Sequence, residues 1–336
     1  MTKDVMKAGR STKYTPIQWP HGHAFAFTIF DDTDWTTLPD GRLIYEFLTD
    51  LGFRITKSVW PLATTAPRTT GGDTCADPDY LEWVLSLRDQ GHEIGYHNAT
   101  DHPSLRNETI EGLEKFREMF GQYPRVGADH GGNSEALYWG PRRLSGWRSL
   151  AYSLIQRSLQ PHRPRFSGDD PESRFFWGDI CQQHISYWRN FTFAETNTLR
   201  ACPEMPYHDP ARPFVNHYFS ATDAPRRESF LKRLTTDRLD QLTAEGGACI
   251  MYTHFGVDFV VDGALDPGFV NVMTALSRRN GWFAPVSDVL DFLSSQQQPS
   301  PFNASRRRRL EILWLVDRLR NTRRFGPRVA TTTSRP

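Results

Sequence analysis

Ala24-Phe25-Ala26-Phe27-Thr28-Ile29-Phe30, cut off by Asp31-Asp32-Thr33-Asp34, is the run whose reading decides the fold. It has the length and composition of a strand, and being apolar on both faces it reads as a buried strand of a parallel sheet. Beyond it, helix and strand patterns alternate. Arg42 to Leu51 carries Leu43, Ile44, Phe47, Leu48 and Leu51 at helical spacing and stops at Gly52. Arg54 to Trp60 reads as a second strand, Tyr80 to Arg88 as a helix, and Glu93 to Tyr96 as a strand delivering His97. Thr109 to Phe120 is helical, with Ile110, Leu113, Phe116 and Phe120 on one face, and Pro124 to His130 is a strand running into Gly131-Gly132. Strands alternating with helices through short connections predict a β/α architecture built on a parallel sheet or barrel.

Regularity weakens between 133 and 240, an aromatic-rich segment read as further βα units with long insertions. It returns with a helix ending near Glu245-Gly246-Gly247, the strand Ala248 to His254, a helix over Phe269 to Arg279 and a last unit from Trp282 to Leu293. The expected organisation is an arm over 1–20, a catalytic domain over 21–295, and a linker with a basic amphipathic tail over 296–336.

Composition narrows the function classes. At 336 residues and 38% hydrophobic the chain can bury a large core, which excludes wholesale disorder. The net charge of +1 hides an uneven split: beyond Ser300 stand ten Arg against two acidic residues, so the rest of the chain is net negative. An anionic partner is expected at the tail. Cys75, Cys181, Cys202 and Cys249 are scattered, with neither zinc-ribbon spacing nor a disulfide framework. Met1-Thr2-Lys3-Asp4-Val5-Met6-Lys7 lacks an apolar core, so no export signal is expected and a cytoplasmic location is the default.

The chemistry concentrates at strand ends. Asp31 and Asp32 close the first strand, His97 and His130 close two others, and His254 closes a late one. In a parallel β/α fold these ends share one face, so residues far apart in sequence converge there. The segment Gly91-His92-Glu93-Ile94-Gly95-Tyr96-His97-Asn98-Ala99-Thr100-Asp101-His102-Pro103 adds His102 on a short turn. Paired neutral imidazoles suit a borderline-soft divalent ion such as zinc.

Three motifs in order carry a family resemblance. Phe27-Thr28-Ile29-Phe30-Asp31-Asp32 resembles the Thr-Phe-Asp-Asp motif of the polysaccharide deacetylases (carbohydrate esterase family 4), with Thr33 where that family usually has Gly. Gly91 to His97 is similar to the segment leading to the family's first metal-binding histidine, and Tyr252-Thr253-His254 resembles its closing motif. The resemblance implies a distorted (β/α)7-type barrel. It implies one divalent metal ion, zinc before any other, on Asp32, His97 and His102, with a coordination position left open. It also implies Asp31 as general base and His254 as general acid.

Two departures accompany it. The family's metal histidines are usually one helical turn apart, whereas His97 and His102 are five residues apart, about 140° round a regular helix. Asp101 is the alternative ligand at the usual spacing. Aligning Tyr123-Pro124 and Gly132 puts Ala128, Asp129 and His130 where the family has the arginine that orients its base. Asp129 and His130 are therefore candidate supporting residues.

Tyr207 and His208, in Pro206-Tyr207-His208-Asp209-Pro210, belong either to a tied-down loop or to a substrate groove. Trp177, Trp188 and Tyr207 are aromatic faces suited to sugar rings or to core packing. Arg306-Arg307-Arg308-Arg309 and the amphipathic stretch after it either dock on the body or make a peripheral membrane contact through 306–324. No nucleic-acid partner is expected, since no fold motif supports one. The expected activity is removal of acetyl groups from an N- or O-acetylated sugar or oligosaccharide. The alternatives are a related hydrolase of a non-sugar amide and a carbohydrate-binding barrel without catalysis.

Overall fold

The computed structural model describes residues 17–160, 162–296 and 301–325, with the side chains of 321–325 left aside. The expected N-terminal arm therefore lies almost wholly outside the described residues. In chain order the main elements are β1 (Phe25–Asp31), α1 (Leu38–Asp50), β2 (Thr56–Val59), α2 (Pro78–Asp89), β3 (Glu93–Tyr96), α3 (Arg106–Phe120) and β4 (Val126–Gly127). After these come α4 (Trp147–Leu159), α5 (Gly178–His184), β5 (Tyr187–Phe193), α6 (Thr198–Ala201), β6 (His217–Asp223), α7 (Arg227–Arg233), α8 (Thr236–Ala244) and β7 (Ala248–Thr253). A small hairpin of β8 (Val260–Val261) and β9 (Ala264–Leu265) precedes α9 (Pro267–Ser277), β10 (Gly281–Phe283), α10 (Val286–Gln296) and α11 (Ala304–Phe325).

Strands β1 to β7 pair in sequence order, all parallel, and β7 pairs back onto β1 from Ala26↔Ala248 to Asp31↔Thr253, closing a seven-stranded barrel. β10 adds to β1 outside the closure. This is the distorted (β/α)7 architecture expected from the motifs. All seven residues of β1 are buried, as a strand between a filled barrel interior and a helical outer layer must be. The distortion is greatest at β4, whose two residues replace the longer strand expected over Pro124 to His130. Gly127 there lets the Trp188 ring approach so closely that a Cβ would lie 2.3 Å from it. Helix α1 starts at Leu38, four residues before the expected Arg42, behind the cap Thr37, whose side chain accepts the Asp40 N–H while Pro39 takes an early position.

The basic tail folds as α11 and packs on the barrel. Phe302, Leu310 and Trp314 are buried, with Trp314 between Phe191 of β5 and Tyr152 of α4. Glu311 is fully buried and accepts from Ser145 Oγ (3.0 Å), Arg148 Nε (2.8 Å) and Arg212 (3.3 Å). Arg307 joins Asp209, which also binds Arg212 at 2.6 Å, so the loop Pro206–Pro210 is tied down as a seat for the tail. Trp314→Ala is expected to cost about 3–5 kcal/mol, read as a lower urea midpoint.

Candidate active site

The carboxyl ends of the barrel strands carry a buried cluster around Asp34. This residue lies in the turn after β1, only 4% exposed. Its Oδ2 is 2.9 Å from His97 Nε2 and its Oδ1 is 2.8 Å from His130 Nε2. Neither ring has a free nitrogen to turn away. His97 Nδ1 lies 3.0 Å from the Ala128 carbonyl, and His130 Nδ1 lies 3.0 Å from Asn133 Oδ1. The Asn133 amide nitrogen is committed to Thr100 O, His102 O and Glu135, so its oxygen is what faces His130. All four ring nitrogens thus confront oxygen acceptors, and a neutral imidazole has one N–H. Either the rings carry extra protons or a cation takes their place at Asp34.

Electrostatics point the same way. Burial opposes charging Asp34, yet His130 and His97 hold its carboxyl well below the usual carboxylate range. Burial likewise opposes charging His130, but Asp34, with Asn133 and Asp101, pushes it up to about 9. The carboxylate that raises His130 in this way stabilises positive charge at this place. One carboxylate and two imidazoles are the donor set of a zinc-like ion.

Asp32 lies beside this group with both oxygens held by Arg189 of β5, each at 2.6 Å. The guanidinium is itself buried, over the Tyr252 ring at 4.2 Å. Phe191, two residues on, packs outward against Trp314. A register irregularity between Arg189 and Thr192 in the β5–β6 pairing accommodates both directions. His254 comes just after β7. Its Nδ1 donates to the Pro225 carbonyl at 2.8 Å, and its Nε2 stands 3.9 Å from Asp32 Oδ2 and 3.8 Å from Asp34 Oδ2. Asp32, Asp34 and His254 offer ligand atoms within 4.8 Å of one another, a second arrangement that could hold an ion. At 12%, the His254 side chain is the most exposed of the cluster.

Trp35 stands at the edge, with its ring 5.2 Å from His254 and 38% exposed. Its φ of 57° is unusual for a bulky residue. Its N–H donates to Gly71 O (2.7 Å), and Gly256 leaves room for it, since a Cβ there would lie 2.2 Å from the Trp35 carbonyl carbon. Asp101 fixes the same loop from below, accepting from Thr70 N (3.0 Å) and Gly71 N (2.7 Å).

The structure sorts the residues expected from sequence. Asp32, His97, His130 and His254 come together. Asp31 is fully buried beneath them; its oxygens accept from Phe255 N (3.0 Å) and Tyr45 Oη (3.1 Å) and pair with the buried Lys57 (3.0 Å). Burial holds its carboxyl above the ordinary range despite that ammonium. The His102 ring meets Thr65 N at 3.2 Å and Glu108 at 3.5 Å, and has no described contact with Asp32, Asp34 or His97. Asp129 accepts from Leu137 N (2.8 Å) and Trp188 Nε1 (3.0 Å), and burial lifts its pKa to about 7. Tyr207 stacks on Phe302, and His208 faces Asn216 O (2.9 Å); no described contact joins either to the cluster. Trp177 and Trp188 are core residues whose indole N–H groups donate to Glu135 O and Asp129. Asp34, Arg189 and Trp35 join this cluster, and the sequence does not single them out.

Glu135 supports the cluster from behind, accepting from Ser104 N (3.0 Å) and Asn133 Nδ2 (2.8 Å). Burial raises its pKa from 4.5 to about 8. The folded chain therefore keeps a proton that the unfolded chain loses near pH 4.5. Its stabilising contribution is present below that pH and lost as pH rises to about 8. Urea titrations across this window are expected to show stability falling with pH, with a shallower slope in Glu135→Gln.

Comparison with solved structures finds a proposed polysaccharide deacetylase from Mycobacterium smegmatis, 12% identical, at a TM-score of 0.52 over 86% of this chain and 96% of that one. A polysaccharide deacetylase assigned in Pseudomonas aeruginosa PAO1 is 14% identical, at 0.49 over 85% and 95%. The allantoinase PuuE is 12% identical, at 0.48 over 84% and 94%. No family model and no curated protein matches the sequence. At a TM-score above 0.5, the first of these structures gives the fold as that of the polysaccharide deacetylase barrel, as the three motifs implied.

Proposed function

We propose that the protein is a divalent-metal-dependent hydrolase that removes acetyl groups from an N- or O-acetylated sugar. The observation that carries this is Asp34 gripped at both oxygens by histidines whose remaining nitrogens also face acceptors, directly beside an Arg-held carboxylate and a strand-end histidine. In this reading Asp34, His97 and His130 would hold the ion, zinc being the best match to the donor set. Such an ion supplies Lewis-acid polarisation of a carbonyl oxygen and acidifies water.

The chain's own residues do the proton work. Arg189 orients Asp32 through two short bonds, and Asp32 Oδ2 accepts a proton from the attacking water. A C–O bond forms at the acetyl carbonyl and the bond to the sugar nitrogen or oxygen breaks. His254, oriented by its Nδ1–H to Pro225 O and protonated at Nε2, gives that proton to the leaving group. Acetate and the free amine or alcohol result. Asp31 then has a structural role, tying β1 to Lys57, Tyr45 and the Phe255 backbone. Trp35 offers an exposed aromatic face on which the apolar side of a sugar ring can lie.

The test is acetate release from N-acetylated and O-acetylated oligosaccharides, with a non-sugar amide alongside. Release from a sugar is expected, falling about 10²–10⁴-fold in His254→Ala with bound metal retained. Cleavage of the non-sugar amide alone would transfer the mechanism to another substrate class. Sugar binding without any hydrolysis would leave a carbohydrate-binding barrel.

A further inference from the structure

Among the described residues, thirteen large hydrophobic side chains are exposed, and nine of them lie on just two helices. Helix α4 exposes Trp147, Leu150, Leu154, Ile155 and Leu159, from 58% to 76%. At ~100° per residue, Trp147, Leu150 and Leu154 fall within one narrow arc, which Ile155 and Leu159 widen. Helix α11 exposes Ile312, Val316 and Leu319 at i, i+4 and i+7, with Leu313 beside them. The helices are neighbours, joined by the Tyr152–Trp314 ring contact and the buried Arg148–Glu311 pair (2.7 Å). Helix α11 packs one face on the barrel, α4 rests on α11 and on the turn at Pro141, and both present an apolar face outward. A core-packing helix needs only an inward one.

Charge sorts by the same division. Helix α4 has no acidic residue. The two carboxylates of α11 are turned to the body, Glu311 to Arg148 and Arg212, and Asp317 to the Ala194 backbone N–H at 3.2 Å. Arg157, Arg308, Arg309 and Arg320 are exposed on the two helices. The outward surface is thus apolar with a fringe of arginines, of which Arg309 pairs with Glu204 at 3.4 Å.

We propose that the α4–α11 face docks on an anionic lipid bilayer surface. Aliphatic side chains and Trp147 enter the acyl boundary, and the arginines meet lipid phosphates and carboxylates. No helix among the described residues is long and apolar enough to cross a membrane, so the contact lies in the interface plane. A second copy of the chain is the poorer occupant, because a two-fold contact would set the cationic fringes against each other. The surface is separate from the Asp34 cluster, so it stands or falls independently of the proposed chemistry.

The test is co-sedimentation of the full chain with vesicles of phosphatidylcholine, with and without about one third phosphatidylserine. The chain is expected to partition onto the serine-containing vesicles and to be released by high salt. The combined variant Trp147→Ser, Leu154→Ser, Leu159→Ser is expected to bind about tenfold more weakly or worse, with its urea midpoint unchanged. Arg308→Ser with Arg320→Ser, an independent second variant, is expected to weaken binding to anionic vesicles only. The proposal is overturned if the chain stays in solution with anionic vesicles, or binds both vesicle types equally. It is also overturned if the apolar variant binds like the parent. A dimer that the apolar variant splits into monomers would assign the face to a second copy instead.

Discussion

Asp34→Asn is expected to remove bound metal and lower acetate release by about 10³-fold or more, the equivalent of roughly 4 kcal/mol of lost transition-state stabilisation. The substitution keeps shape and removes charge. His97 and His130 would then face an amide that neither draws a proton onto them nor anchors an ion. Stability is expected to change far less than activity, because the variant buries one charge fewer while leaving both rings their Ala128 and Asn133 partners. A urea midpoint beside a rate measurement separates the two effects. Unchanged activity in Asp34→Asn would mean that the chemistry is centred elsewhere.

Arg189→Met is expected to be the most destabilising change at the site. It leaves Asp32 buried without its two short charge-assisted bonds, and breaking one side of a buried pair costs about 3–5 kcal/mol. Activity should fall too, because Asp32 loses the two bonds that fix its orientation toward the attacking water. Adding Asp32→Asn to Arg189→Met should restore most of the stability and none of the activity. If the double variant is as unstable as the single one, Arg189 contributes mainly by packing on Phe30 and Tyr252.

The barrel is legible in particular stretches. The Ala24–Phe30 run, the Leu43-Ile44-Phe47-Leu48 periodicity and the Gly52 stop all report burial or backbone needs that are local in sequence. The start of α1 is less legible, because its first turn is Leu38-Pro39-Asp40-Gly41, set by a cap and a proline rather than by an apolar face. The stretch from 133 to 186 hides α4, whose exposed apolar face breaks the usual link between hydrophobicity and burial.

The site is half legible for a similar reason. His97, His130 and His254 announce themselves as strand-end histidines. Asp34 is masked by the adjacent pair Asp31-Asp32, which matches a known motif, whereas the chain turns so that Asp31 points into the Lys57 pocket and Asp34 meets the rings. The signal for Arg189 is a single cation inside the aromatic strand Tyr187–Phe193. A buried strand arginine requires a carboxylate partner, but sequence does not say which. His102 carries the motif context and a proline, yet its ring is satisfied by the Thr65 N–H at Nε2 and the Pro103 carbonyl at Nδ1.

The central claim is that one ion is held on Asp34 by His97 and His130, with His254 left for proton transfer. Elemental analysis of the purified chain and its His130→Ala, His254→Ala and His102→Ala variants tests it most directly. About one equivalent of divalent metal is expected in the parent, in His254→Ala and in His102→Ala, with loss in His130→Ala. Metal retained in His130→Ala and lost in His254→Ala would contradict the account and place the ion between Asp32, Asp34 and His254.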